Sequence, residues 1–90
     1  MTVHEFYTWS NSPRAKQANA TAVMYGKSAK GLKFTVAIGE WGVRTFLVLG
    51  ATSKDEAKKA TLDYFSTTPG YEVWNMAIKV RDVTKCKKYN

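Results

Sequence analysis

Two neighbouring segments of the chain alternate between apolar and polar residues. In residues 32–38, Leu32, Phe34, Val36 and Ile38 alternate with more polar or smaller positions, and residues 43–49 show a second alternation. A period of two predicts β-strands, and residues 39–42, with a glycine at each end, predict the turn between them. Segments rich in aromatic and β-branched residues predict three further strands, over residues 2–9, 20–27 and 71–83.

A helix is predicted directly after the hairpin. Ser53 and Glu56 have the spacing of a capping box, in which each side chain satisfies an unpaired amide at the start of a helix. The residues that follow place an apolar stripe on one face, namely Ala57, Ala60, Thr61, Tyr64 and Phe65. Pro69 and Gly70 end the pattern.

The fold class predicted from this order is α+β, in one domain spanning residues 1–90. We expect a single antiparallel sheet of about five strands in the order β-β-β-β-α-β, with one helix packed on one face. Residues 84–90 are expected to form a basic, flexible tail. Two segments leave alternatives open: residues 2–9 also contain a capping-box spacing, and residues 13–18 fit a helical turn capped by Ser12 or a basic loop.

The alternation also predicts which strand residues share a face. Leu47 and Leu49 are expected in the core with Phe34, Val36 and Ile38, so Phe46 and Val48 would lie on the opposite face. A single helix cannot cover both faces of a sheet. The second face should therefore be open, and a partly apolar, partly basic open face is typical of an interaction surface or a dimer interface.

Charge points to the class of partner. The chain has 14 Lys and Arg residues against 7 Asp and Glu residues, a formal net charge of +7. Such a balance favours binding to phosphate backbones, anionic membranes or acidic protein surfaces. Protein partners are plausible, and the chain is expected to be a monomer or a homodimer.

Catalysis, metal binding and membrane insertion are not expected. His4 is the only histidine, and no His, Cys, Asp and Glu spacing matches a metal site. We therefore predict no enzyme activity and no cofactor. No segment approaches the roughly 20 apolar residues that span a bilayer, and the single cysteine, Cys86, favours a reducing interior, so a cytoplasmic location is expected.

The candidate contact residues are basic or aromatic. Trp41 lies in the predicted turn, where side chains usually face solvent, and tryptophan is enriched at binding hot spots. Arg44 follows it, and arginine can clamp phosphate or carboxylate with two hydrogen bonds. The remaining candidates are a strand phenylalanine and basic residues in two parts of the chain: Phe46, Arg14, Lys16, Lys27, Lys30, Lys33, Lys79 and Arg81. A solvated surface of ordinary lysines would give the same pattern.

Part of the chain resembles known DNA-binding domains. The run from Phe34 to Tyr64, with Arg44, Gly50 and the Ser53 to Ala57 helix start, is similar to the three-stranded-sheet-plus-helix domains of phage integrase arms and plant AP2 factors. The resemblance implies that the sheet contacts the major groove through Lys33, Thr35, Arg44 and Phe46. The same helix start also resembles that of double-stranded-RNA-binding domains.

A second resemblance is to short phage-encoded anti-defence proteins, including anti-CRISPR proteins, in size, cysteine content and lack of enzymatic motifs. It implies an inhibitor that occupies a surface of a CRISPR surveillance or effector complex. The leading hypothesis is therefore a non-enzymatic protein that binds nucleic acid or a nucleoprotein complex, as an anti-CRISPR-like inhibitor in its most concrete form. The alternatives are a sequence-specific double-stranded DNA-binding domain of integrase-arm or AP2 type, and a homodimeric interaction protein.

Overall fold

The structure is a computed structural model that describes residues 1–7, 11–39, 44–66 and 77–90. Its elements, in chain order, are β1 (Thr2–Phe6), α1 (Pro13–Ser28), β2 (Lys33–Ile38), β3 (Arg44–Leu49), α2 (Lys54–Ser66), β4 (Ile78–Asp82) and a short 3-10 helix (Lys87–Tyr89). The α+β class with one antiparallel sheet is confirmed. Within the described residues the sheet has four strands and the fold has two helices, which corrects the expected five strands and one helix.

All strand pairs are antiparallel, in the spatial order β1-β3-β2-β4. The predicted hairpin is confirmed as β2 and β3, and the N-terminal segment, for which a capping-box spacing left a helix open, is a strand over Thr2–Phe6. At the end of β3 the chain turns through Gly50 with φ +90°. A side chain there would be strained, and its Cβ would lie 3.3 Å from the Met1 backbone.

Residues 20–27 are helical, so the strand predicted there is wrong. They belong to α1, which begins at Pro13 as the helical alternative expected, with the Ser12 hydroxyl accepting the Ala15 amide at 3.2 Å. The buried residues of α1 are small ones, Ala15, Ala22 and Gly26. Because this buried stripe contains no large apolar residue, the alternation of Thr21, Val23 and Tyr25 dominated the sequence pattern and indicated a strand.

The predicted face of β3 is also wrong, by one position in register. Ile38 pairs with Arg44 and Val36 pairs with Phe46, so five residues separate the paired strand ends. The expected four-residue turn over 39–42 would have paired Ile38 with Val43. A shift of one residue moves every side chain to the other face of a strand. Phe46 and Val48 therefore share a face with Phe34, Val36 and Ile38, whereas Leu47 and Leu49 point to the other side.

Helix α2 begins as the sequence predicted. The Ser53 hydroxyl accepts the Glu56 amide at 3.1 Å, and the Ser53 carbonyl accepts the Ala57 amide at 3.0 Å. The Glu56 carboxylate accepts a hydrogen bond from the Thr52 hydroxyl at 2.6 Å. This cap fixes the point where the chain leaves Gly50 and turns onto the sheet, which places Ala57 in the core at 0 % exposure.

A helix packs on each face of the sheet, so the fold has three layers. We call the face under α2, with that helix, the α2 side. Its core contains Phe34, Val36, Ile38, Phe46, Val48, Ala51 and Ala57. The α1 side comprises α1 with the turn to Lys30, the strand side chains of the opposite face, and residues 84–90. Its core contains Phe6, Ala22, Leu47, Leu49, Val83 and Tyr89.

The last residues are packed against the domain, which corrects the expected flexible tail. We call residues 84–90 the C-terminal segment. Tyr89 is buried at 4 % exposure against α1. It lies so close to Gly26 that a Cβ there would be 2.7 Å from the Tyr89 ring. The strand predicted over 71–83 is observed as β4 from Ile78, and residues 71–76 lie outside the described residues.

Candidate polyanion-binding site

Charge is divided between the two sides of the sheet. The α1 side holds ten of the 14 cationic residues, which are Arg14, Lys16, Lys27, Lys30, Lys33, Lys79, Arg81, Lys85, Lys87 and Lys88. The described acidic residues are all on the α2 side, in the strand positions Glu5 and Asp82 and in the helix positions Asp55, Glu56 and Asp63. Among the described residues, the acidic side chains thus belong to the other side of the sheet, and Asp82, at the end of β4, reaches the α1 side through its interaction with Lys85.

A groove opens on the α1 side between the C-terminal segment and the exposed ends of the strands. Its volume is about 360 Å³. Helix α1 contacts β1 and β3 more than β2 and β4, so it leaves the β2–β4 half of this face open. The groove lining consists of Phe6, Thr35, Ala37, Thr45, Lys79, Arg81, Val83, Cys86, Lys88 and Tyr89.

Strand register explains the shape of the groove. Phe6 pairs with Thr45, Thr45 with Ala37, and Ala37 with Lys79, so these four side chains form one row across the sheet. The two central residues are small and the two outer ones are long. A depression in the middle of the row follows directly from this size difference. Arg81, which pairs with Thr35, extends the cationic rim by one row.

The C-terminal segment forms one wall and contributes a cation above the floor. The Lys88 ammonium lies 6.0 Å from the centroid of the Phe6 ring and 5.6 Å from that of Tyr89. Both distances are within the range of cation–π attraction. These contacts hold Lys88 on the same groove as Lys79 and Arg81, so three cations from two distant parts of the sequence converge.

A buried lysine holds this wall in place. Lys33 is 3 % exposed, and its ammonium donates to the Tyr89 carbonyl at 2.7 Å and to the Asn90 Oδ1 at 2.9 Å. The Asn90 amide donates in turn to the carbonyls of Thr84 and Cys86. Burying a charge is costly unless its hydrogen bonds are made, and these contacts provide them.

Asp82, the last residue of β4, stabilises the turn into the C-terminal segment. Its carboxylate accepts hydrogen bonds from the hydroxyl and the amide of Thr84. These bonds lower the pKa of Asp82 below its usual value, with the larger effect from the Thr84 hydroxyl and the next from the Thr84 amide. On the wall itself, burial raises the pKa of the Tyr89 phenol. Both groups therefore keep their ordinary charge states near neutral pH.

The structure brings two predicted contact residues together and spreads others along α1. Lys79 and Arg81 are exposed on the groove rim. Arg14 and Lys16 are exposed in the first turns of α1, and Lys27 and Lys30 are exposed around its end. All six lie on the α1 side. That they contact a partner stays a prediction.

Two predicted contact residues were placed wrongly. Phe46, expected on an open face, is fully buried beneath α2, where its ring meets Tyr64 edge-on at 5.8 Å between centroids. Lys33, expected to be exposed, is buried as described above. The first error follows from the register shift, and the second from the docking of the C-terminal segment over the start of β2.

Arg44 is on the α2 side and is engaged by a neighbouring strand. Its Nε donates to Glu5 Oε1 at 2.7 Å and its Nη2 donates to Glu5 Oε2 at 2.8 Å, a bidentate ion pair between adjacent strands. The carboxylate-clamping geometry expected of this arginine thus has a partner within the chain. Trp41, the other leading candidate, lies outside the described residues.

The DNA-contacting face implied by the resemblance to AP2 and integrase-arm domains is not formed. Lys33 and Thr35 point to the α1 side, whereas Arg44 and Phe46 point to the α2 side. One duplex could not meet these four side chains together. Sequence reasoning also missed Lys88 and Phe6 as groove residues. Their charge and aromatic character were visible, but only the docked C-terminal segment brings them together.

Comparison with known proteins identifies no similar protein that would suggest a role for the groove. No family model, no curated protein and no solved structure matches the chain at a significant level. Within the described ranges, no helix is sufficiently long and apolar to cross a membrane. The same residues contain no group of three or more His, Cys, Asp or Glu side chains positioned to hold a metal ion.

Proposed function

We propose that the protein is a non-enzymatic binding module that engages nucleic acid, free or within a nucleoprotein complex, through its α1 side. The observation that supports this most strongly is the division of charge across the sheet. Nine of the ten cations on the α1 side are exposed, all except Lys33, whereas the described acidic side chains belong to the α2 side and only Asp82, at the end of β4, is noted beside one of these cations, Lys85. A net charge of +7 spread evenly would serve solubility, whereas cations gathered on one side create a directed field.

Nucleic acid is the polyanion favoured by the extent of this surface. The cations run from Arg14 at the start of α1 to Lys30 beyond its end, a helix of 16 residues and about 24 Å. They continue on the neighbouring rim of β4 and the C-terminal segment. A compact anion would neutralise a few of them, whereas a strand with a charge on every nucleotide can neutralise many at once.

Salt dependence of binding provides the main test. We expect fluorescence anisotropy to detect binding to labelled 12-nucleotide single strands or 12-base-pair duplexes at 50 mM salt. The logarithm of affinity should fall linearly with the logarithm of salt, with a slope near −0.9 per duplex phosphate neutralised or −0.7 per single-strand phosphate. Absence of binding to either nucleic acid at 50 mM salt would refute the proposal.

Two triple variants of equal charge separate the α1 side from net charge alone. The first replaces Arg14, Lys16 and Lys27 by Gln, and the second replaces Lys54, Lys58 and Lys59 of α2 by Gln. If affinity falls about threefold per lost phosphate contact, the α1 variant should bind about 30-fold more weakly. The α2 variant should stay within about twofold of the original. Equal losses in the two variants would contradict a site on the α1 side.

The more specific form of the proposal is an anti-CRISPR-like inhibitor of a surveillance or effector complex. Its test is a pull-down of such a complex with and without nuclease, together with a DNA-cleavage assay. The α1 variant should lose both the capture and the inhibition, whereas the α2 variant should keep them. If the unaltered protein leaves cleavage unaffected, this specific form is wrong even where nucleic-acid binding is observed.

A further inference from the structure

We propose that the groove on the α1 side takes one unstacked nucleotide of a single-stranded nucleic acid. The base would lie on the floor formed by Ala37 and its neighbours, and the phosphate would meet Lys79, Arg81 and Lys88. This inference rests on the proposed function and makes it more specific, because it selects single strands over duplexes and assigns one subsite.

The floor has the size and chemistry that a base requires. Thr45, Ala37 and Thr35 leave a depression bordered by Phe6, and Val83 and Tyr89 extend its apolar border. The volume of about 360 Å³ is within the range of pockets that hold small molecules. A flat, partly apolar ring covers such a surface, and the Thr35 hydroxyl offers a hydrogen-bonding group at its edge.

The rim has the charge that a phosphate requires. Lys79 and Arg81 are two positions apart in β4, so their side chains point to the same face. They are about 7 Å apart along the strand. Lys88 faces them from the C-terminal segment, held over the Phe6 ring. No acidic residue is among the described residues that line the groove. An anion here would meet cations from two sides without a competing carboxylate.

The combination of floor and rim favours a single strand. In a duplex the faces of the bases are covered by their stacked neighbours, so an intact duplex cannot place the face of a base on this floor. An unstacked base exposes its ring for contact with aromatic or apolar side chains while the backbone follows cationic groups. The structure therefore predicts a preference that the exposed cations of α1 alone would not produce.

The decisive variant fills the floor without changing charge. Ala37→Met extends a side chain into the groove, and Ala20→Met on the exposed surface of α1 is the matched control. With a labelled dT12 strand we expect Ala37→Met to reduce affinity about tenfold, the scale of one lost base contact, and Ala20→Met to have no effect. Affinity for a 12-base-pair duplex should be unchanged by both variants.

Two further variants keep the test informative. Thr35→Leu fills the neighbouring row and replaces Ala37→Met if thermal unfolding shows that the latter does not fold. The double variant Lys79→Gln with Arg81→Gln should weaken dT12 binding and lower the magnitude of its salt slope by about 0.7 per cation removed.

Uridine monophosphate should shift the amide resonances of Ala37 and Arg81 in an NMR titration of the unaltered protein.

The outcomes distinguish this inference from the proposed function. If both floor variants bind dT12 as well as the unaltered protein does, while the α1 charge variant is weakened, the groove assignment is overturned and the proposed function stands. If no nucleic acid binds at 50 mM salt, both fail. A phosphopeptide that displaces dT12 more effectively than unlabelled dT12 would assign the groove to a protein partner and overturn the inference.

Discussion

The two sides of the sheet differ in how closely they are packed and in how their surface charge is arranged. On the α2 side, a capped helix closes a core of large apolar side chains, and its surface mixes Lys54, Lys58 and Lys59 with acids. On the α1 side, a helix with a buried stripe of small residues covers half of the face, and the C-terminal segment covers one corner. The remainder is a groove with a cationic rim.

The difference shows how one sheet can separate stability from binding. Close-packed apolar surface is the main favourable term in folding, and the α2 side supplies more of the fully buried large side chains. Like charges gathered on the α1 side repel one another, which opposes folding. The interior of the α2 side can offset that repulsion. We therefore expect substitutions on the two sides to affect stability and binding to different degrees.

Phe46→Ala should have the largest effect on stability. Its ring is fully buried in the α2-side core, and truncating a buried phenylalanine typically costs about 3–5 kcal/mol. The loss is measurable as a lower midpoint in urea denaturation. Below the unfolding transition, affinity for dT12 should remain within twofold of the original. A variant that stays as stable as the original protein would mean that the α2-side core does not dominate folding.

Lys33→Met should have an intermediate effect, confined to the α1 side. The substitution removes the two hydrogen bonds to Tyr89 and Asn90 and leaves the buried Tyr89 carbonyl without this donor, a loss of about 1–3 kcal/mol. Hydrogen exchange should accelerate in the C-terminal segment and little elsewhere. Lys87→Met, an exposed substitution in the same segment, is the control. Equal exchange rates in the two variants would contradict the anchoring role of Lys33.

Part of the α2 side could be predicted from the sequence. The cap by Ser53 and the alternation from Phe34 to Ile38 are local signals, and both are confirmed, although the Glu56 carboxylate bonds the Thr52 hydroxyl and not the Ser53 amide expected of a capping box. The direction of the side chains of β3 could not be predicted, because all but the first of its residues are buried. Only the register with β2 decides which side of the sheet each side chain faces. One residue in the length of the connection reversed the assignment of Phe46.

The α1 side depended on contacts between distant residues. Its helix buries alanine and glycine, which carry little hydrophobic signal, and exposes Met24 and Tyr25. The burial of Lys33 depends on residues more than 50 positions later in the chain. Lys79 and Arg81 could be selected by charge alone, but their convergence with Lys88 required the docked C-terminal segment. Local patterns therefore identified cations without identifying the groove.

The smallest predicted effect concerns His4, which lies on the α1 side beneath Tyr25. The two rings are stacked, with centroids 4.2 Å apart and planes 10° apart. Burial lowers the pKa of His4 below its usual value of 6.5. Because the unfolded chain then binds more protons than the folded chain, stability should fall as pH drops below 6.5 and level off once the folded pKa is passed.

The chain has one histidine, so its imidazole resonance can be followed by NMR without ambiguity. We expect a pKa below 6.5, and Tyr25→Ala should raise it toward 6.5 because the covering ring is lost. Salt separates the two sources of such a shift on this side of the molecule. Charge repulsion from the surrounding cations would be screened in 1 M salt, whereas the effect of burial would persist. A pKa that returns to 6.5 in high salt would assign the shift to the cationic surface, and one that stays low would assign it to the stacked tyrosine.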